Sequence, residues 1–254
     1  MHWGIYVTAA AIGLIAGSFL NVVAFRGPAR WGLVTDERPR GDLARPRSYC
    51  PYCRKPIAAR WLAPVVGYLA LRGRCAECGA AIPARYPIVE VAGALVAALA
   101  VWRFGASAEA MMAALFGWTL VALAAIDWET HYLPDALTLP LLAGGIAFNT
   151  VDLFAPLPGA VFGAAVGYGA FWLVARVYKS VRGREGLGLG DAKLLAAIGA
   201  WVGWTALPVV VFAAAALSLA ALALAAVIGK RVDAAAPAPF GPGLALAGFG
   251  ALLI

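Results

Sequence analysis

The sequence predicts an all-α polytopic membrane protein with about eight transmembrane helices and a small zinc-binding domain inserted after the first helix. Of the 254 residues, 63% are hydrophobic and only 13% are charged, about half the charged share of soluble domains. Several apolar runs reach the ~17–25 residues that a membrane-spanning helix needs. All four cysteines fall in the one long polar section, between the first two runs.

The apolar runs divide the chain into a first transmembrane helix at 1–25, a tetracysteine domain at 26–85 and a second membrane domain at 86–254. No small-residue cleavage site follows the first run, so we expect a retained helix and not a removed signal peptide. The predicted crossings are 3–25, 86–104, 109–126, 136–151, 156–178, 192–207, 208–229 and 240–254.

The net charge of +7 has a distribution that indicates topology and argues against nucleic-acid binding. Twelve of the 20 basic residues lie between Arg26 and Arg85, four between Arg176 and Arg184, and two at Lys230 and Arg231. If each run crosses once, these clusters fall on the same side, which the positive-inside rule makes cytoplasmic. The N-terminus is then outside, the cysteine domain is cytoplasmic, and its basic residues suit anionic lipid headgroups.

Small and polar residues within the runs predict close helix packing. The spacing of Gly13 and Gly17, and of the glycines at 159, 163 and 167, lets another helix approach closely. We expect Asn21 to hydrogen-bond to another helix and Glu90 to pair with a basic neighbour. If Trp201 and Trp204, near the end of the short sixth crossing, lie in the outer aromatic belt, Asp191 lies slightly below the cytoplasmic surface.

Two CxxC pairs predict a structural metal site. Cys50 and Cys53 are separated by 21 intervening residues from Cys75 and Cys78, which is a tetrathiolate zinc pattern. Cytosolic thiols stay reduced, so disulfides are not expected. With four protein ligands the Zn²⁺ would be structural and not catalytic; a redox dithiol pair is the alternative.

Two acidic residues at the ends of separate apolar runs are the candidate catalytic groups. Asp127 closes the third predicted crossing, and Asp191 follows the glycine run 186–190 at the start of the sixth. Two neighbouring carboxylates that share a proton can activate water against a peptide carbonyl. From the helix dipoles we expect Asp191 to be the ionised base and Asp127 the protonated acid.

The other polar residues near these aspartates have structural interpretations. Asp135 follows Pro134 and is expected to cap the fourth crossing, while Glu129, Glu185 and Lys193 are expected to be solvated interface charges. Pro134 predicts that His131 lies in a loop.

These residues resemble the bacterial type IV prepilin peptidase family, whose members are GxGD-type intramembrane aspartyl proteases, over nearly the whole chain. The similar segments are Gly17–Val23, Arg47–Cys53, Leu71–Gly79, Arg85–Glu90, Ile126–Asp127, Leu133–Pro140, Gly188–Leu194 and Pro239–Pro242.

The resemblance implies an inner-membrane enzyme that cleaves the basic leader of prepilins and pseudopilins, the substrates of type IV pilus and type II secretion systems. It implies Asp127 and Asp191 as the catalytic pair. It also implies N-methylation of the new N-terminus from S-adenosylmethionine, for which the sequence places no cofactor site.

Two functions of other classes compete with the peptidase. A proton-coupled transporter predicts carboxylates near the membrane midplane and usually inverted repeats, whereas both aspartates lie near one face. A non-enzymatic scaffold of a secretion system predicts that neither aspartate is needed.

Overall fold

The computed structural model describes residues 3–35, 40–183, 188–228 and 239–254. Within these ranges the chain forms helices joined by turns, with two isolated antiparallel bridges in the cysteine section. The α-helices are α1 (Trp3–Arg30), α2 (Val66–Ala70), α3 (Arg85–Phe104), α4 (Ala108–Thr130), α5 (Asp135–Phe148), α6 (Leu157–Arg182), α7 (Leu189–Val202), α8 (Leu207–Val227) and α9 (Gly241–Leu253).

Each predicted crossing coincides with one of these helices, and the all-α membrane class is confirmed. Five spans among the described residues are long and apolar enough to cross a bilayer: α1, α3, α4, α6 and the segment Trp204–Val227 that contains α8. Helices α5, α7 and α9 have only 14, 14 and 13 residues, fewer than the ~20 of a full crossing. The count of eight crossings therefore stays a prediction.

The chain forms two compact units, Met1–Ala125 and Ile126–Ile254. In the first unit α1 packs along α3, because glycines on both helices leave room for backbone contact. A Cβ atom on Gly17 would lie 2.6 Å from the Cα of Glu90, and one on Gly13 would collide with the carbonyl oxygen of Gly93. The predicted close packing at Gly13 and Gly17 is confirmed.

Two buried polar residues join the elements of the first unit. The Asn21 amide nitrogen donates to the carbonyl oxygen of Tyr86 at 3.0 Å, the interhelical bond that the sequence predicted. The expected basic partner of Glu90 is wrong: its carboxylate accepts the N–H of Val65 at 2.7 Å and the Ser18 hydroxyl. Glu90 faces a backbone amide because the segment before α2 folds back onto α3.

In the second unit α7 packs against α5, α6 and α9. The α6 glycines support close approach at two of the three predicted positions. A Cβ atom on Gly167 would lie 2.7 Å from the carbonyl oxygen of Leu195, and one on Gly163 would collide with that of Gly199, whereas Gly159 faces open space.

Trp201 lies in the core of this unit and not in an outer aromatic belt. It is only 2% exposed, and its indole N–H donates to the carbonyl oxygen of Leu141 at 2.7 Å. Buried Asn149 fixes the same end of α7, donating to the carbonyl oxygen of Ala200 at 2.9 Å. Trp201 therefore holds α7 against α5 and gives no measure of membrane depth.

Candidate functional site

Asp127 lies in the last turn of α4 and is buried, with 5% of its surface exposed. Leu123 and Ile126, which precede Asp127 on the same helix, are both fully buried in the core. Helix α4 ends at Thr130, and His131 follows with a left-handed φ of 55°, so the predicted loop after the aspartate is confirmed. A carboxylate in such a setting needs a hydrogen-bond partner, because an unpaired buried charge is costly.

The partner of Asp127 comes from a distant part of the chain. The backbone N–H of Gly241, the first residue of α9, donates to Oδ2 of Asp127 at 2.9 Å. A helix N-terminus carries unpaired N–H groups and a partial positive charge, so it is a natural site for a carboxylate. The contact also requires glycine, because a Cβ atom on Gly241 would lie 2.6 Å from the same oxygen.

The residues around Gly241 explain how α9 begins there. The ring of Phe240 packs against that of Phe171 on α6, with centroids 6.0 Å apart. Pro242 occupies the first turn of α9, where its missing N–H costs no intrahelical hydrogen bond. The Pro239–Pro242 segment was predicted only by its resemblance to the family, with no role assigned. Its Gly-Pro pair before an apolar run is a helix-start signal.

Asp191 lies in the first turn of α7, which begins at Leu189 after Gly188. Its backbone N–H donates to the carbonyl oxygen of Gly188 at 3.2 Å, and its carboxylate interacts electrostatically with that of Asp127. The structure thus brings together the two predicted site residues, 64 positions apart in the sequence. Gly186 and Leu187, at the start of the glycine run, lie outside the described residues.

The last glycine of that run sets how closely α7 approaches the segment before α5. A Cβ atom on Gly190 would lie 3.1 Å from the Cβ atom of Leu133, so Leu133 would have to shift by a few tenths of an ångström. Leu133 is itself buried. Gly190 therefore lets the start of α7, and Asp191 with it, pack against the chain that leaves α4.

Asp135 does not cap α5, in contrast to the sequence prediction. The N-cap position is Pro134, with no side-chain capping bond, and Asp135 instead pairs with Lys193, whose Nζ lies 2.6 Å from Oδ1 and 2.8 Å from Oδ2. Lys193 is thus an ion-pair partner and not simply a solvated charge. The pair links the starts of α5 and α7.

The first CxxC pair forms a turn suited to a metal ligand. The N–H of Cys50 donates to the carbonyl oxygen of Lys55 at 3.0 Å, and the N–H of Arg54 donates back to the carbonyl oxygen of Cys50 at 2.9 Å. Arg54 has a left-handed φ of 61°, which closes the turn. Both thiols of the pair then lie on one loop.

The second pair repeats this geometry. The N–H of Cys75 donates to the carbonyl oxygen of Ala80 at 2.8 Å, and that of Gly79 donates to the carbonyl oxygen of Cys75 at 2.9 Å. Gly79 has a φ of 71°, equivalent to that of Arg54. The glycine after the second pair thus has the turn role that its position indicates.

The four thiols form one cluster. All four Sγ atoms lie within 4.8 Å of one another, and those of Cys50 and Cys78 are 3.9 Å apart. Four sulfurs placed ~2.3 Å from one Zn²⁺ in a tetrahedron are about 3.8 Å apart, so these residues fit a tetrathiolate zinc site. Hydrogen bonds from the backbone N–H groups of Cys78 and then Glu77 lower the pKa of Cys75 to about 7, which favours the thiolate that a metal requires.

The two sites differ in what they can do chemically. The cysteine cluster offers four protein ligands and no open coordination position, which is typical of structural metal sites. The aspartate pair offers two interacting carboxyl groups, one of them held by a backbone amide, which is the arrangement needed to move a proton to and from a bound water.

Family models match both parts of the chain. A model of the bacterial peptidase A24 N-terminal domain matches residues 11–104, and a model of the type IV leader peptidase family matches residues 114–225. The first range contains the cysteine cluster and the second contains both aspartates. No solved structure matches the chain.

Curated relatives match over almost the full length. A prepilin leader peptidase/N-methyltransferase of Pseudomonas putida is 44% identical, with 96% of this chain and 89% of the relative covered. Proteins of the same name from Burkholderia pseudomallei (strain 1026b) and Neisseria gonorrhoeae are 45% and 41% identical. The match to the Burkholderia protein covers 94% of this chain and 82% of the relative. The match to the Neisseria protein covers 95% of this chain and 87% of the relative.

Proposed function

The chain belongs to the type IV leader peptidase family, and from that membership we propose that it removes the basic leader of prepilins or pseudopilins in the inner membrane. It is an enzyme of the peptidase class, as its resemblance to the family predicted. The relatives named prepilin leader peptidase/N-methyltransferase support this substrate.

The observation that carries the proposal is the approach of Asp127 to Asp191. One carboxylate takes a proton from the attacking water as the water oxygen adds to the scissile carbonyl carbon. The other carboxyl group gives its proton to the carbonyl oxygen and so stabilises the tetrahedral intermediate. A proton then passes to the leaving amide nitrogen as the C–N bond breaks. Neither step requires a nucleophilic side chain or a catalytic metal.

The proposed topology places this chemistry where the substrate needs it. With the basic clusters cytoplasmic, the end of α4 and the start of α7 face the cytoplasmic side, together with Asp127 and Asp191. A prepilin has a basic leader followed by a hydrophobic helix. Its scissile bond therefore lies at the membrane surface, next to both aspartates.

The direct test uses the purified full chain in detergent with a purified prepilin. We expect a product shortened by the leader, identified by mass spectrometry as a single cut before the hydrophobic helix. Prepilin that stays intact in the presence of folded protein would contradict the proposal. Proton uptake into vesicles that contain the reconstituted protein, with no cleavage of the prepilin, would favour the transporter.

We also propose that the chain methylates the new N-terminus with S-adenosylmethionine. The relatives are named as N-methyltransferases as well as peptidases, which supports this second activity. A model of the family's N-terminal domain covers the cysteine section. When bound, S-adenosylmethionine supplies an electrophilic methyl group. The protein has to hold it near the free amine and keep that amine unprotonated.

The cysteine cluster is proposed to hold one structural Zn²⁺ through Cys50, Cys53, Cys75 and Cys78. The metal would tie the two turns of the cysteine section together. A structural zinc site contributes about 10–16 kcal/mol of apparent binding free energy, which is large for a section with few buried apolar residues.

Replacing Cys50 with Ser is expected to reduce bound zinc from about one ion per chain to a small fraction of that. One of the four ligands is lost, and a serine hydroxyl is a poor substitute for a thiolate. Metal content is measured by elemental analysis of the purified protein. Tyr52→Phe, an exposed position in the same turn, is the control and should retain the ion; wild-type protein without zinc would contradict the site.

A further inference from the structure

A cavity lined by described residues lies in the first unit, whereas both aspartates belong to the second. Its volume is about 370 Å³, and its walls come from α1, both cysteine turns, the segment at 58–63, α2 and the start of α3. Pockets for small molecules and cofactors are about 300–1,000 Å³. The peptidase mechanism makes no use of this space.

Glu90 is a buried carboxylate in the cavity wall, with 9% of its surface exposed. It accepts hydrogen bonds from the N–H of Val65 and from Ser18. A carboxylate offers about four acceptor positions, so it retains capacity for a ligand. A positively charged ligand group would compensate for its burial, since buried charges are otherwise costly.

Asn21 adds a second acceptor in the wall. Its amide nitrogen donates to the carbonyl oxygens of Tyr86 and Gly17 at 3.0 and 3.3 Å, which fixes the orientation of the amide. Its Oδ1 atom is buried and has no hydrogen-bond partner among the described residues. A buried acceptor without a donor is rare in folded proteins, and a ligand donor or a water molecule would satisfy it.

The remaining walls combine aromatic rings with basic groups. Trp61, Tyr68 and Tyr86 supply flat apolar surfaces, and Arg60 supplies positive charge. Lys55 also lines the cavity, but its Nζ is paired with Glu77 at 2.8 Å. The same region contains a strained residue, because Val65 is β-branched and has a φ of 61°. Strain of this kind persists where the surroundings enforce it, often at ligand sites.

We propose that this cavity binds S-adenosylmethionine, an inference that rests on the proposed methyl transfer. The ligand carries an ammonium group and a sulfonium centre that suit Glu90, an adenine ring that suits the aromatic walls, and a carboxylate that suits Arg60. The amino group also brings the N–H donors that the Asn21 acceptor lacks. Glu90 and the rings bind the cofactor, and the aspartate pair has no part in it.

The test is equilibrium dialysis of the full chain in detergent with radiolabelled S-adenosylmethionine, alongside prepilin cleavage by the same samples. Glu90→Gln keeps the shape of the side chain and removes its charge, so affinity should fall about 10- to 100-fold, the range for a hydrogen bond to a charged group. Ala58→Trp fills the cavity from an exposed wall position and should abolish detectable binding. Glu109→Gln makes the same change outside the cavity and should bind as the wild type does.

Cleavage by every variant shows that the chain is folded. If wild-type protein cuts the prepilin but binds no S-adenosylmethionine, the proposed methyl transfer itself fails. If it binds the cofactor and methylates, while Glu90→Gln and Ala58→Trp bind it unchanged, only the site is wrong. Unchanged cofactor binding with weaker binding of a cleaved pilin peptide would assign the cavity to the peptide amine instead.

Discussion

Asp127→Asn and Asp191→Asn are each expected to leave a prepilin uncut under conditions in which the wild-type protein cleaves it fully. Each carboxyl group has to accept or give a proton during hydrolysis, and an amide does neither. General acid–base groups contribute about 10²–10⁴-fold each, so the rate should fall by at least ~100-fold in either variant. The measurement is the initial rate of leader removal, followed by gel shift or mass spectrometry.

Asp135→Asn is the matched control for both variants. It makes the same chemical change eight residues after Asp127, at a carboxylate with 53% of its side chain exposed and paired with Lys193. Exposed ion pairs contribute about 0.2–1 kcal/mol, so this variant should cleave within a few-fold of the wild-type rate. Wild-type rates in Asp127→Asn or Asp191→Asn would instead exclude an aspartyl mechanism at this pair.

The helices and the cysteine cluster were predictable because their signals are local. A run of apolar residues long enough to cross a bilayer has few alternatives to a helix, and two CxxC pairs place four thiols on two short turns. The approach of Asp127 to Asp191 was inferred from their positions at the ends of two predicted crossings.

The missed features depend on which distant backbone a side chain meets. Glu90 accepts a hydrogen bond from the N–H of Val65, and Asp135 forms an ion pair with Lys193 on another helix. Trp201 is buried among neighbouring helices. A hydrophobic pattern shows that a residue is apolar or charged. It does not show whether that residue faces lipid, a loop that folds back, or a second helix.

The predicted division of roles between the aspartates has the same weakness. For Asp191 it rests on the N-terminal end of α7, and for Asp127 it rests on the C-terminal end of α4 alone, where an anion is disfavoured. The N-terminal end of α9, 114 residues later in the sequence, donates a hydrogen bond to the same carboxylate. The two helix ends act on Asp127 in opposite senses, so the dipole of α4 alone does not decide which aspartate holds the proton.

Gly241→Ala is expected to reduce kcat for leader cleavage by about 100-fold. The added methyl group would lie 2.6 Å from Oδ2 and 2.9 Å from Cγ of Asp127, so the carboxylate must move away from the N–H of residue 241. A displacement of about 1 Å in a reacting group can cost ~10² in rate. KM should change little, because the three atoms nearest to the added methyl group all belong to Asp127.

Gly250→Ala on the same helix separates this effect from a general loss of stability. A Cβ atom at Gly250 meets no other atom within 4 Å, and alanine is about 1 kcal/mol better than glycine inside a helix. We expect Gly250→Ala to cleave at the wild-type rate with a melting temperature at or slightly above that of the wild type, and Gly241→Ala to remain folded. Equal rates for the two variants would show that the backbone of α9 does not position Asp127. A fall in kcat confined to Gly241→Ala would show that the start of the last helix belongs to the catalytic site.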